Sequence, residues 1–197
     1  MKLSICASMV FTAAWLCIAP HAEAADTAGR SAKLEELQEF CKTANCRYNL
    51  RVKLRRAKGA PYDSTFKVLP PAVQNSMITI HAGEKISAVP LFKGNSFLGW
   101  REVKADEAAD TQIVTVDLSQ SKNDTSMMAH VSTNTGPAIK LRMGLIRIDS
   151  DDKPEATSSC PLQAGGFSSF EMWPYPIFVL IVAEAKRLDD TDKMVCE

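Results

Sequence analysis

From Arg47 to Arg56 the chain reads RYNLRVKLRR, apolar at positions 48, 50, 52 and 54 and basic at 47, 51, 53 and 55. A period of two sends alternate side chains to opposite faces of a strand. This stretch is therefore a predicted strand. Tyr48, Leu50, Val52 and Leu54 are expected toward the core, with Arg47, Arg51, Lys53 and Arg55 on the outer face. Similar short runs recur along the chain: STFKVLP, SMITIH, KISAVPLF, SFLGWREVK, TQIVTVDLS, SMMAHVST, AIKLRMGLIRID and IFVLIVAEAKRL. Turn signals separate them, among them Ala82-Gly83-Glu84, Lys93-Gly94-Asn95 and Thr135-Gly136-Pro137. Short strands punctuated in this way, with no strong helix alternating between them, predict an all-β fold. The expected architecture is an antiparallel β-sandwich, immunoglobulin-like at the level of architecture. The one helical pattern is SAKLEELQEFCK, near residues 31–42, where Leu34, Leu37 and Phe40/Cys41 recur at helical spacing and Ser31 can cap the start.

Two runs depart from simple alternation. Ile177 to Ala183 is unbroken apolar, as expected of a central strand covered on both faces. In AIKLRMGLIRID the apolar parity changes from odd (Ile139, Leu141, Met143) to even (Ile146, Ile148), and Gly144 stands at the change, which predicts a β-bulge there.

The N-terminal pattern is of a different kind. Lys2 precedes an uncharged apolar run from Leu3 to Ile18, and Ala22-Glu23-Ala24 has the small-x-small form of a cleavage site. The apolar run is shorter than the roughly 20 residues a spanning helix needs. Residues 1–24 are thus expected to be a signal peptide and 25–197 a single domain, periplasmic or secreted, with no transmembrane segment after cleavage. Of the 6 cysteines, Cys41, Cys46, Cys160 and Cys196 stay in that domain. An even number in an exported chain reads as disulfides, and the expected pairs are Cys41–Cys46 and Cys160–Cys196. A zinc site would need short, converging spacings that these positions lack.

Charge narrows the partners. Twenty-three basic and 23 acidic residues give a formal net charge of +0, so no general attraction to nucleic acid follows. The chain has no G-x-S-x-G elbow, zinc-protease helix, dinucleotide fingerprint or P-loop. Its best local candidates for chemistry are three. The first is the basic strand face, Arg51, Lys53 and Arg55, which Lys140 and Arg142 would extend if their strand lay alongside. Its competing explanation is a protective charge on a solvated strand, which the acidic loop ADEAAD could neutralise. The second is the aromatic corner from Phe170 to Pro176, with Trp173 and Tyr175 as candidate contacts or as packing at the sandwich rim. The third is SMMAHVS, where Met128 and His130 share a strand face; a thioether beside an imidazole suits copper(I). Met143 and Met172 could complete such a site, whereas methionine is also an ordinary core filler. His81 and His130 are the only histidines that a hydrolytic mechanism in this domain could use.

The expected function is that of an exported, non-enzymatic binding or structural protein of the bacterial envelope, requiring no cofactor. Its partner would be a protein, a peptide or an envelope component. Copper handling through Met128 and His130 is the alternative, and an undetected hydrolase a further one.

Overall fold

The structure, a computed structural model, describes residues 33–148, 153–189 and 196. The expected signal peptide and the Ser31 cap lie outside the described residues. The chain divides into two compact units, Met1–Glu36 and Leu37–Glu197. Of the first, only the opening half of a short helix at 33–40 is described.

The second unit is a β-sandwich of two five-stranded sheets. One runs β10 (Glu155–Ser158), β9 (Ile139–Arg147), β12 (Ile177–Arg187), β4 (Met77–His81) and β3 (Val73–Gln74). The other runs β11 (Phe167–Trp173), β8 (Met127–Thr133), β7 (Val114–Gln120), β5 (Lys85–Lys93) and β6 (Ser96–Glu102). A separate hairpin joins β1 (Arg47–Leu54) to β2 (Tyr62–Leu69). Every named pair is antiparallel. The inward residues of both sheets form one core, including Ile80, Leu180 and Leu141 from the first sheet and Val116, Ala129 and Trp100 from the second. Burying such side chains drives the packing, at about 1.5–3 kcal/mol for each large aliphatic or aromatic one.

The edges of the two sheets meet at β3 and β6. The Trp100 amide donates to the Asn75 carbonyl at 2.9 Å. That approach needs Gly99, whose φ is 144° and whose missing Cβ would lie 2.3 Å from the Asn75 oxygen. Both expected disulfides are present, Cys41–Cys46 and Cys160–Cys196.

Several expectations are corrected. Tyr48 does not face the core; it is 60% exposed, and Arg47 turns inward instead. Asn49 explains the inversion. Its φ of 54° lies in the left-handed region, which asparagine tolerates better than most residues, and it breaks the two-residue alternation. Downstream of it Val52 and Leu54 are buried as expected. No slip occurs within β9 at Gly144: Ile139, Leu141, Met143 and Leu145 are all buried in unbroken alternation. The irregularities fall on the partner strand β12, between Ile177 and Val179 and between Val182 and Glu184, the second lying one residue from the Gly144 pair. The strands β3, β10 and β11 were not expected.

β12 is central, between β9 and β4. Its Phe178 meets Tyr62 and Phe66 of the hairpin, with ring centroids 5.5 and 5.8 Å away, so the hairpin covers part of this sheet. Beneath the hairpin lies a buried polar knot. Arg47 Nη1 donates to Glu84 Oε2 at 2.5 Å and to the Thr79 carbonyl at 3.3 Å, and Nε donates to the Pro70 carbonyl at 3.1 Å. Glu84 also accepts the His81 amide at 2.8 Å, with His81 Nδ1 3.3 Å away. Burial pushes the Glu84 carboxyl up, but the hydrogen bonds from His81 and the Arg47 charge outweigh it and hold it below its usual 4.5.

Candidate functional site

The basic strand face is the candidate with the most obvious charge, and its cations are engaged locally. Arg51 grips Asp63 of β2 through two bonds of 2.8 and 2.7 Å, and Lys53 Nζ is 3.9 Å from the same carboxylate. The Arg51 bond lowers the Asp63 carboxyl from its usual range. Arg55 turns toward the end of β7. Its guanidinium donates to the carbonyls of Ser121 and Lys122, and its backbone is clasped by the Gln120 amide. A cleft of about 370 Å³ lies beside it, lined by Lys53, Arg55, Pro61, Gly83 and Gln120. Lys140 and Arg142 do not extend this face, because β9 lies in a five-stranded sheet and β1 pairs with β2. Nor does the loop ADEAAD neutralise it. Glu107 of that loop takes Arg101 of β6 in two bonds of 2.5 and 2.6 Å, which hold its carboxyl down to about 2.

The aromatic corner resolves into an inner and an outer part. Trp173 is buried in the core, which removes it as a surface contact. Tyr175 packs against the core, and the Arg147 guanidinium lies 4.2 Å over its ring. The exposed members lie earlier, on the edge strand β11, where Phe170 is 59% and Met172 68% exposed.

That edge strand is where two of the expected sites merge. Along β8 the residues Met127, Ala129 and Val131 are buried, while Met128, His130 and Ser132 alternate with them on the opposite, solvent-facing side. The register places Met172 directly opposite Met128, and Phe170 directly opposite His130. The Phe170 ring stacks on the imidazole, 4.7 Å between centroids and 20° between planes. On the other side of β8, Asp117 pairs with His130 and Ser119 with Met128, and Lys85 of β5 follows Asp117. The face therefore reads, in adjacent rows, Lys85, Asp117, His130, Phe170 and Ser119, Met128, Met172. Met143, the other methionine that could have joined Met128, is 2% exposed in the core of the opposite sheet. It is excluded from this face.

His81, the second histidine available for hydrolytic chemistry, is buried in the Arg47–Glu84 knot. Its polar neighbours there are an arginine and a carboxylate, neither of them a nucleophile for acyl transfer. Among the described residues, no three His, Cys, Asp or Glu side chains converge as a metal site, and no helix is long and apolar enough to cross a membrane.

Fold and surface together define a disulfide-bonded, two-sheet β-sandwich that carries an exposed face of soft and aromatic side chains on one edge. No protein-family model, curated protein or solved structure matches the chain.

Proposed function

We propose that this is an exported, non-enzymatic binding protein of the bacterial envelope, and that its working surface is the outer face of β8 and β11. The observation that carries the reading is the exposure of Phe170 and Met172 on an edge strand, beside His130 and Met128. Exposed large apolar side chains gathered in one place, rimmed by polar residues, mark interaction surfaces more than scattered ones do. Here the rim is supplied by Ser132, Ser168, Ser119 and Asp117. An edge strand adds a row of main-chain groups free to meet an extended partner segment. The two disulfides support export, since such bonds persist mainly in oxidising compartments. The basic face of β1 is the weaker candidate, because its charges are spent on Asp63 and on backbone carbonyls.

Site-specific photo-crosslinking in the producing cell tests this. A photoreactive phenylalanine analogue at position 170 is expected to yield a discrete envelope adduct. The same analogue at Tyr48, equally exposed but on β1, is expected to yield none. Adducts from both positions alike, or from position 48 alone, contradict the assignment.

A further inference from the structure

We infer that the β8–β11 face is a copper(I) site in which the thioethers of Met128 and Met172 and the imidazole of His130 bind one ion. The inference rests on the reading of that face as the working surface and names its ligand. Met128 and Met172 occupy directly opposed ladder positions, where Cβ atoms stand about 4.5–5.5 Å apart. Each side chain has three flexible torsions beyond the backbone, so both sulfurs can reach one ion above the sheet. His130 lies two residues along β8 on the same side, about 7 Å from Met128 at a strand rise of about 3.4 Å per residue. The three donors thus form a triangle on one face, with no backbone between them.

The donor set selects the ion. Thioethers are soft ligands that favour copper(I) over zinc or the oxygen-loving cations. Among the described residues the stronger soft ligand, cysteine thiolate, is not on offer, since Cys41, Cys46, Cys160 and Cys196 are all in disulfides. Phe170 positions the third ligand. Its stacked ring fixes the plane of the imidazole. Asp117 of β7 holds the ladder position opposite His130, which puts a carboxylate beside the imidazole, the kind of neighbour that supports a ligating histidine. A three-ligand site on an open sheet leaves one coordination position for a partner's own ligand, which would let a metal and a macromolecular partner share the surface.

The test uses the disulfide-bonded protein with its methionine methyl groups labelled with carbon-13, titrated with copper(I) under ascorbate. One equivalent should shift the methyl signals of Met128 and Met172 and the imidazole signals of His130. Met77 and the buried Met143 should stay in place. Silver(I), which has the same charge and no redox chemistry here, should produce the same pattern, and zinc should not. In competition with a chromophoric copper(I) chelator, Met172→Leu and His130→Gln should each weaken binding at least as much as the roughly 10–100-fold typical of losing an outer-shell partner. Met143→Leu should leave it unchanged. Both ligand variants alter solvent-facing positions, so an unchanged unfolding midpoint checks their fold. Equal affinity of Met172→Leu and wild type, or methyl shifts confined to other methionines, overturns the metal assignment. Crosslinking from position 170 that survives in such a case would show that the ligand was misread and the surface was not.

Discussion

Replacing Arg47 by methionine should cost far more than its place in a basic, alternating strand suggests. The side chain is tucked under the hairpin, with 14% of its surface exposed against 9% for Glu84. Arg47→Met keeps the packing of the stem and removes the donors to Glu84, the Pro70 carbonyl and the Thr79 carbonyl. Deleting one partner of a buried pair costs about 3–5 kcal/mol, because the remaining charge is left uncompensated. Glu84 keeps the His81 amide and faces His81 Nδ1, which places the expected loss near the lower end, about 3 kcal/mol. At a urea m-value of about 2 kcal/mol/M, typical of small domains, the midpoint should fall by about 1.5 M. Glu84→Gln should cost a similar amount. The double variant should lose about as much as either single one, a coupling of about 3 kcal/mol, since removing both charges leaves none stranded. Urea titrations of the four proteins measure all of this. A shift of Arg47→Met within about 0.5 kcal/mol, the range of ordinary surface substitutions, refutes the buried knot. Strict additivity in the double variant refutes the pairing.

Other outcomes follow from the same contacts. The Cys160–Cys196 bridge spans 36 residues and Cys41–Cys46 spans 5, so paired serine substitutions should cost about 4 and about 2 kcal/mol respectively on the chain-entropy scale, as read from urea midpoints. Among the cations of β1, Arg51→Ala should change stability by less than about 1 kcal/mol, as exposed ion pairs do. Arg55→Ala should cost about 2 kcal/mol, because its charged group holds two carbonyls. Acid should weaken the fold in a specific window. The Glu107 carboxyl is lowered from 4.5 to about 2 by Arg101, so the unfolded chain binds its proton first. Its contribution is full above about pH 4.5 and is lost as pH falls toward 2. Glu107→Gln should flatten the decline of the urea midpoint across that interval, with its difference from wild type largest at pH 7 and closing as pH falls toward 2.

Most of the strands were legible because alternation and turn residues are local properties. KISAVPLF, TQIVTVDLS and SMMAHVST each became a strand. β11 was missed because FSSFEMW turns Phe170 and Met172 to the solvent side and leaves Trp173 as its one buried residue, which reads as an irregular aromatic stretch. Arg47 was misplaced because one left-handed residue, Asn49, reverses the parity before it, and nothing in the pattern marks that conformation in advance. The bulges near Gly144 were sensed through the parity change but sit on β12, since a slip belongs to a pair of strands and one strand alone cannot locate it. The candidate site shows the same boundary. That Met128 and His130 share a face follows from their spacing of two. That Met172 joins them and Met143 does not depends on the β8–β11 register and on which sheet β9 enters, both set by contacts between distant segments.

Under the proposed function, binding falls to the β8–β11 face and not to the basic face of β1. The most direct measurement is a binding isotherm of the purified protein on washed envelopes of the producing cell, for three forms of the chain. Relative to wild type, Phe170→Ser/Met172→Ser should lose most of the saturable binding while keeping its unfolding midpoint. Arg51→Ser/Lys53→Ser should bind as wild type does, with little response to added salt beyond ordinary screening. Saturable binding that survives the β11 substitutions and disappears with the β1 substitutions would contradict the account.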